Sequence, residues 1–288
     1  MRIELPIFFA TPRSRSTALM ELATPYMESV LGLHSLGHQT EFFQEYSHRY
    51  FSEDVHLGRK NLMEYFPLNR ENAPITHHFV YPPIYNSKRQ RIGHKLQVLQ
   101  QERKVGRHYN IKIMAEDIDI NENLDEKFDR SILDFFSDRT FVITRRKDIK
   151  GMALSLLVSL HTKLWHKRDM NQSKYDYLEE NPIVINPELG VSIISTLKAA
   201  AMMDQFETHL ERSGYKHHTF YYEDLTTIED MKVALDKVFG NQVWRSNVSD
   251  EYIEHNLPKK LDLDYSKVIV NLEEINEEIE YLIEGIFG

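Results

Sequence analysis

The sequence predicts an α/β fold in which a parallel sheet carries helices on both faces. Short apolar runs, among them Ile3–Ala10, Thr140–Thr144 and Thr219–Tyr222, read as strands, the first of the kind buried on both faces. Between them lie stretches whose apolar residues recur at helical spacing. The two kinds of segment alternate in one rhythm, without low-complexity linkers or internal repeats, and that alternation is the mark of a covered parallel sheet.

In chain order, Ile3–Ala10 (IELPIFFA) is the first strand, with Pro6 tolerated near its start. Thr11-Pro12-Arg13-Ser14-Arg15 is a turn-like link. Leu19, Leu22, Ala23, Tyr26, Met27 and Val30 then mark a helix that begins near Ser16, and Pro25 predicts a kink or a cut within it. Tyr109–Met114 (YNIKIM) is the second strand. Thr140–Thr144 (TFVIT) is the third, and the basic run Arg145-Arg146-Lys147 follows it directly. Asp148 can cap the next helix, whose apolar face is Ile149, Met152, Ala153, Leu156 and Leu160. Asn186–Arg212 reads as mostly helical, with Pro187 in its first turn. Thr219–Tyr222 is a further strand. Thr227 opens a helix carrying Met231, Ala234, Leu235, Val238 and Phe239, which Gly240 stops. The expected organisation is a single domain over residues 1–288. Residues 44–107 and 165–186 break the rhythm, as insertions or a lid over one end of the sheet, where α/β proteins place ligands.

Composition narrows the function. With no cysteine among 288 residues, disulfides, thiolate catalysis and cysteine-ligated zinc are excluded. A formal net charge of −9 argues against nucleic acid or an anionic membrane as the main partner. The longest apolar stretch, Met152–Leu160, is too short to cross a bilayer, so no stable membrane insertion is expected. Leu5–Ala10 leads into Arg13 instead of a cleavage site, and a cytoplasmic protein is the expectation. An anionic ligand would need a local concentration of positive charge.

One such concentration lies where the first strand feeds the first helix. A helix N-terminus presents unsatisfied N–H groups and the positive end of a dipole. Thr11–Thr17 adds two arginines and four hydroxyls to that field. The Walker pattern is absent: the loop has no glycine and no Lys-Ser/Thr pair. Pro12, Arg13, Ser14, Ser16 and Thr17 instead resemble, in order, the 5′-phosphosulfate loop of sulfotransferases, Pro-Lys/Arg-Ser-Gly-Thr/Ser-Thr. Arg15 stands where that family has glycine. The resemblance implies a P-loop-like three-layer fold and 3′-phosphoadenosine 5′-phosphosulfate (PAPS) as co-substrate. It places Arg13, Ser14, Arg15, Ser16 and Thr17 against the nucleotide.

Phe141–Leu160 resembles the family's second element, a strand-end arginine and a helical serine that hold the 3′-phosphate. Ser155 lies two turns into the helix, on the edge of its apolar stripe, and can face the same anion as the strand end. The family's spacing of about eight positions puts Lys147 in the arginine slot. Extra residues in the turn would put Arg146 or Arg145 there, and Arg145 or Arg146 with Ser155 is the expected pair. Gly37–Phe43 is similar to the Gly-x-Pro-x-Glu-Phe/Tyr-Phe segment of the bacterial trehalose sulfotransferase type, with Gln39 in place of proline. That match makes Glu41 the catalytic base, with His34 and His38 as rivals, and Arg13 the stabiliser of the leaving phosphate. No metal is required, because a sulfuryl group carries less charge than a phosphoryl group.

Other features are weaker. Lys88–Arg107, the most basic stretch, reads as a solvated helix face. His77–Pro83 is an aromatic loop, Trp165 can stack on an adenine or pack in the core, and Lys259 and Lys260 carry no assignment. The acidic pair in Tyr221–Leu225 reads as structural. The expected activity is sulfuryl transfer to a hydroxyl of a small-molecule or carbohydrate acceptor, and a homo-oligomer is compatible with the sequence. A small-molecule kinase and a non-catalytic binding or assembly module on the same scaffold are the alternatives.

Overall fold

The structure, a computed structural model, describes residues 5–34, 43, 87–118, 130–162, 172–186, 191–240, 242–256 and 263–288. Six strands lie in them: β1 (Pro6–Ala10), β2 (Leu33–His34), β3 (His108–Tyr109), β4 (Lys112–Met114), β5 (Thr140–Arg145) and β6 (His217–Tyr221). Four of these form a parallel sheet in the order β4-β1-β5-β6. β2 and β3 form a separate parallel pair. After β1 the chain moves to β4 on one side, then crosses back to β5 and on to β6. Connections therefore diverge between β1 and β5, and their carboxyl ends frame the crevice where open α/β sheets bind ligands.

Strand side chains alternate between faces, and each face has its own core. Ile7, Phe9, Phe141 and Ile143 point to one side, onto α2 (Lys88–Lys104) and α7 (Val191–Arg212). There the Phe9 ring lies 4.8 Å from that of Phe206. Phe8, Val142 and Phe220 point to the other side, onto α1 (Ser16–Ser29) and α8 (Ile228–Phe239). Burying a phenylalanine side chain fully contributes about 1.5–3 kcal/mol, and Phe8, Phe9 and Phe141 are all at most 1% exposed. A third cluster joins α5 (Ile149–Thr162), α6 (Gln172–Glu180) and α7 to α10 (Tyr265–Val268) and α11 (Leu272–Phe287). Short helices α3 (Ala115–Ile118), α4 (Arg130–Phe135) and α9 (Asp250–Asn256) complete the described α-helices. None of the described helices is long and apolar enough to cross a membrane.

Most predicted elements are present, with four differences. Helix α1 starts at Ser16 as expected but passes through Pro25 to Ser29. Proline removes the N–H that would bond the carbonyl one turn back; here that carbonyl, on Glu21, accepts from the Tyr252 hydroxyl at 3.4 Å. The expected strand Tyr109–Met114 is two strands, because the chain changes partner: His108–Tyr109 pairs with β2, and Lys112–Met114 with β1. Of the stretch expected to be helical from Asn186, Asn186 itself is outside a helix and the described helix is Val191–Arg212. Upstream of it, the Asn271 side chain holds Ile185 by both backbone groups, accepting from its N–H at 3.1 Å and donating to its carbonyl at 2.8 Å. Finally, Lys88–Lys104 is not a solvated helix throughout: Arg91, Ile92, Lys95, Leu96 and Leu99 are buried on its inner face.

Thr227 does open α8, in a reciprocal cap. Its hydroxyl accepts from the Asp230 N–H, and the Asp230 carboxylate accepts from the Thr227 N–H. Burial alone would raise the Asp230 pKa, but the hydrogen bonds from Thr227 and Thr226 hold it below the usual carboxylate range.

Candidate anion-binding site

The loop Thr11–Arg15 sits in the crevice between β1 and β5. The Thr11 N–H bonds the Thr144 carbonyl at 3.0 Å. The Ser14 hydroxyl lies 2.7 Å from the Thr11 carbonyl and 3.1 Å from the Thr144 hydroxyl, stapling the loop to the end of β5. Ser14 is buried, so its hydroxyl braces the loop from within. Arg13 and Arg15 have φ of 59° and 61°, the left-handed region that costs a non-glycine residue about 1–2 kcal/mol. With Ser14 stapled, these turns send the two arginines to different partners.

Arg15 turns inward. It is 9% exposed, its Nη1 donates to the Leu225 carbonyl, and its guanidinium lies 4.9 Å from the centre of the Tyr222 ring. Its Nε and Nη2 are buried with no hydrogen-bond partner among the described residues. Arg15 thus adopts the backbone conformation a glycine takes without strain, held by its anchor on Leu225 and Tyr222. We expect Arg15→Ala to lower the unfolding free energy by about 2–3 kcal/mol, since it loses anchor and cation–π contact but keeps the strain. Arg15→Gly relieves the strain and should recover about 1 kcal/mol of that loss. Urea unfolding of both variants decides it; equal loss in the two would show the backbone is unstrained.

Arg13 turns toward helix α5. Its Nε donates to the Ser155 hydroxyl at 2.8 Å, a bond across 142 positions of sequence. Burial lowers the Arg13 pKa; Tyr265 nearby opposes the shift, Arg146 adds to it and Tyr222 opposes it. Burial raises the Tyr265 pKa, and Arg146, Ser155 and Arg13 nearby oppose the rise. One cluster thus gathers Arg13, Arg146, Ser155, Tyr222 and Tyr265. The two anion sites expected from sequence are joined by the Arg13–Ser155 bond.

The strand-end basic run separates by direction. Arg145 pairs with Asp204 at 2.5 Å and Glu207 at 3.1 Å, both on α7. Lys147 is exposed and pairs with Asp224 at 2.9 Å. Arg146 lies over the Tyr222 ring at 4.5 Å, so the same ring bears both Arg15 and Arg146. Its acidic neighbours are loosely placed, Asp148 at 3.5 Å and Glu223 at 3.9 Å. The Arg146 Nε is buried without a hydrogen-bond partner among the described residues.

The local carboxylates have structural work. Asp148 caps α5, as the sequence predicts, by accepting from the Gly151 N–H at 2.8 Å. A Cβ on Gly151 would fall 2.0 Å from the Asp148 carboxylate and 2.9 Å from Arg146, so a larger residue there would displace both side chains from these positions. Glu223 accepts from the Lys147 and Asp148 N–H groups. In the first turn of α1, Ser16 is buried, while the partly exposed Thr17 accepts from the Lys112 ammonium at 2.8 Å. Sequence reading missed Lys112, Tyr222 and Tyr265. A lysine inside the apolar run YNIKIM was the one available signal.

Glu41, His38 and Gln39 lie outside the described residues, as do His77–Pro83, Trp165, Lys259 and Lys260. His34 belongs to β2, opposite Tyr109. Phe43, which ends the Glu41 segment, is fully buried in the core that includes Phe9 and Phe141. Among the described residues no group of His, Asp and Glu is arranged to hold a metal ion. No protein-family model, curated protein or solved structure matches this chain.

Proposed function

We propose that the chain is a sulfotransferase on a P-loop-like three-layer fold, taking PAPS as donor and a small-molecule or carbohydrate hydroxyl as acceptor. The observation that carries this reading is the 2.8 Å bond from Arg13 to Ser155. It joins the loop that resembles a 5′-phosphosulfate site to the helix that resembles a 3′-phosphate site. A ligand with anionic groups at both ends of a ribose suits such a junction, and a ligand with one phosphate would leave half of it unused. The Arg146 Nε, buried without a hydrogen bond among the described residues and 3.9 Å from Glu223, and the partly buried charge of Arg13 both favour an incoming anion.

In the proposed reaction, Glu41 removes the proton from the acceptor hydroxyl as its oxygen bonds to sulfur. The bond between that sulfur and the bridging oxygen of the 5′-phosphate breaks in line. Arg13, with the N–H groups at the start of α1 and the Thr17 hydroxyl, stabilises the charge that collects on the departing 3′-phosphoadenosine 5′-phosphate. Arg146 and Ser155 hold its 3′-phosphate. Ser14 acts through the shape of the loop, and Arg15 by fixing where the loop ends.

Calorimetric titration with 3′-phosphoadenosine 5′-phosphate, against ATP–magnesium as comparator, tests the reading. Micromolar binding of the bisphosphate with weaker binding of ATP–magnesium is expected. Preference for ATP–magnesium would favour the kinase, and no binding of either would remove the enzyme claim.

A further inference from the structure

We propose that Lys112 is a positioning residue for the departing phosphate: its ammonium occupies the Thr17 oxygen, which leaves the Thr17 proton to donate to the anion at the start of α1. The inference rests on the proposed function and deepens it.

One hydrogen bond gives the direction. An ammonium can only donate, and the Lys112 Nζ lies 2.8 Å from the Thr17 hydroxyl oxygen. Thr17 is therefore the acceptor there, and its own proton must go elsewhere. The ordinary outlet for a helical hydroxyl is the carbonyl one turn back. Thr24, Ser159, Thr162 and Thr208 all use it. Thr17 makes no such bond among the described residues. It is also partly exposed, so a ligand can reach the proton.

The sheet delivers Lys112 from beneath the loop. It stands opposite Phe8 in the β4–β1 register, and the Phe8 side chain lies on the face that α1 covers. Lys112 is 3% exposed, a cation buried against the end of a helix where the dipole is already positive. Helix α8 shows how this chain finishes an ordinary helix start, with Glu229 and Asp230 in the first turn and a closed capping box. The first turn of α1 holds no acidic residue, and its N-cap, Arg15, makes no side-chain capping bond. Arg15 is itself 9% exposed, and its Nε and Nη2 have no hydrogen-bond partner among the described residues. The start of α1 thus gathers cations without a side-chain cap, a field that favours an anion.

Lys112→Met keeps the stem and removes both the charge and the donor. Binding of 3′-phosphoadenosine 5′-phosphate, the leaving group itself, should weaken by about tenfold, a loss typical of one hydrogen bond to a charged group. Adenosine 3′-monophosphate, which has no 5′-phosphate, should change by less than about twofold. Thr17→Val should also cost the bisphosphate about tenfold, and Thr17→Ser, which keeps the hydroxyl, should bind as wild type does. Because the lysine acts through the hydroxyl, the Lys112→Met/Thr17→Val double variant should lose no more than about threefold beyond Thr17→Val. Calorimetry on these proteins decides the matter. Unchanged bisphosphate affinity in Lys112→Met would overturn the inference while leaving the nucleotide site standing. Losses that multiply in the double variant, or that are equal for the two nucleotides, would also overturn it by showing a separate or structural role. If Lys112→Met did not fold, Lys112→Gln, whose amide ends one bond short of the ammonium, carries the same comparisons with the same expected loss. If wild-type protein bound neither nucleotide, the site reading and the Lys112 assignment would fall together.

Discussion

Arg13→Ala should reduce the affinity for 3′-phosphoadenosine 5′-phosphate by about a hundredfold or more, the usual loss when a buried charged partner of an anion is removed. Arg13 reaches from the loop to Ser155 on helix α5, so on the proposed reading its removal weakens both ends of the ligand's grip. Stability should move the other way or not at all. Burial, reinforced by Arg146, already disfavours the Arg13 charge, and alanine removes a guanidinium that the folded state holds at a cost. Arg13→Lys returns the charge without the planar fork that serves Ser155 and an anion together, and should restore only part of the affinity. Calorimetry and urea unfolding on the same samples test this. Loss of affinity and stability in parallel would mean that Arg13 is a structural residue and the site reading has lost its central member.

Glu41→Gln should lower turnover by about 10²–10⁴-fold, the contribution of a positioned general base, and leave nucleotide affinity unchanged. The amide keeps the size of the carboxylate but cannot take the acceptor's proton. The environment of the anion loop supports looking outside it for a base. Asp148 caps a helix, Glu223 accepts two backbone N–H groups, and Asp224 pairs with Lys147. Tyr265 has its pKa raised by burial and is a poor proton acceptor at neutral pH. Single-turnover assays with PAPS and a panel of sugar alcohols, alongside calorimetry, provide the measurement. A variant with near-normal rates would pass the role to His34 or His38.

Much of the fold was legible because its signals are local. The Phe8/Phe9 and Val142/Ile143 alternation, the Asp148 cap and the Thr227–Gly240 helix boundaries each follow from a few adjacent residues. Pro25 does not cut the helix, and the hydroxyl that meets the carbonyl it leaves free, that of Tyr252, lies far along the chain. The candidate site divides in the same way. Arg13, Ser155 and the strand-end basic run stand out in sequence. What separates Arg145, Arg146 and Lys147 is which faces Asp204 and Glu207, which meets Asp224 and which lies over Tyr222. Those are tertiary facts, as is the delivery of Tyr265 from a distant turn, and no spacing rule contains them.

The bonds that hold the anion loop also bear on synthesis. Residues 11–15 leave the ribosome well before their anchors, for Ser155 and Leu225 lie 142 and 210 positions from Arg13 and Arg15. Contacts of that span form late, because a long intervening chain must be ordered first. A nascent chain therefore carries an incompletely anchored loop until residue 225 has emerged. Nucleotide binding would report the last stage of folding, and ribosome-stalled chains ending before residue 225 would remain incompetent however well their first helix had formed.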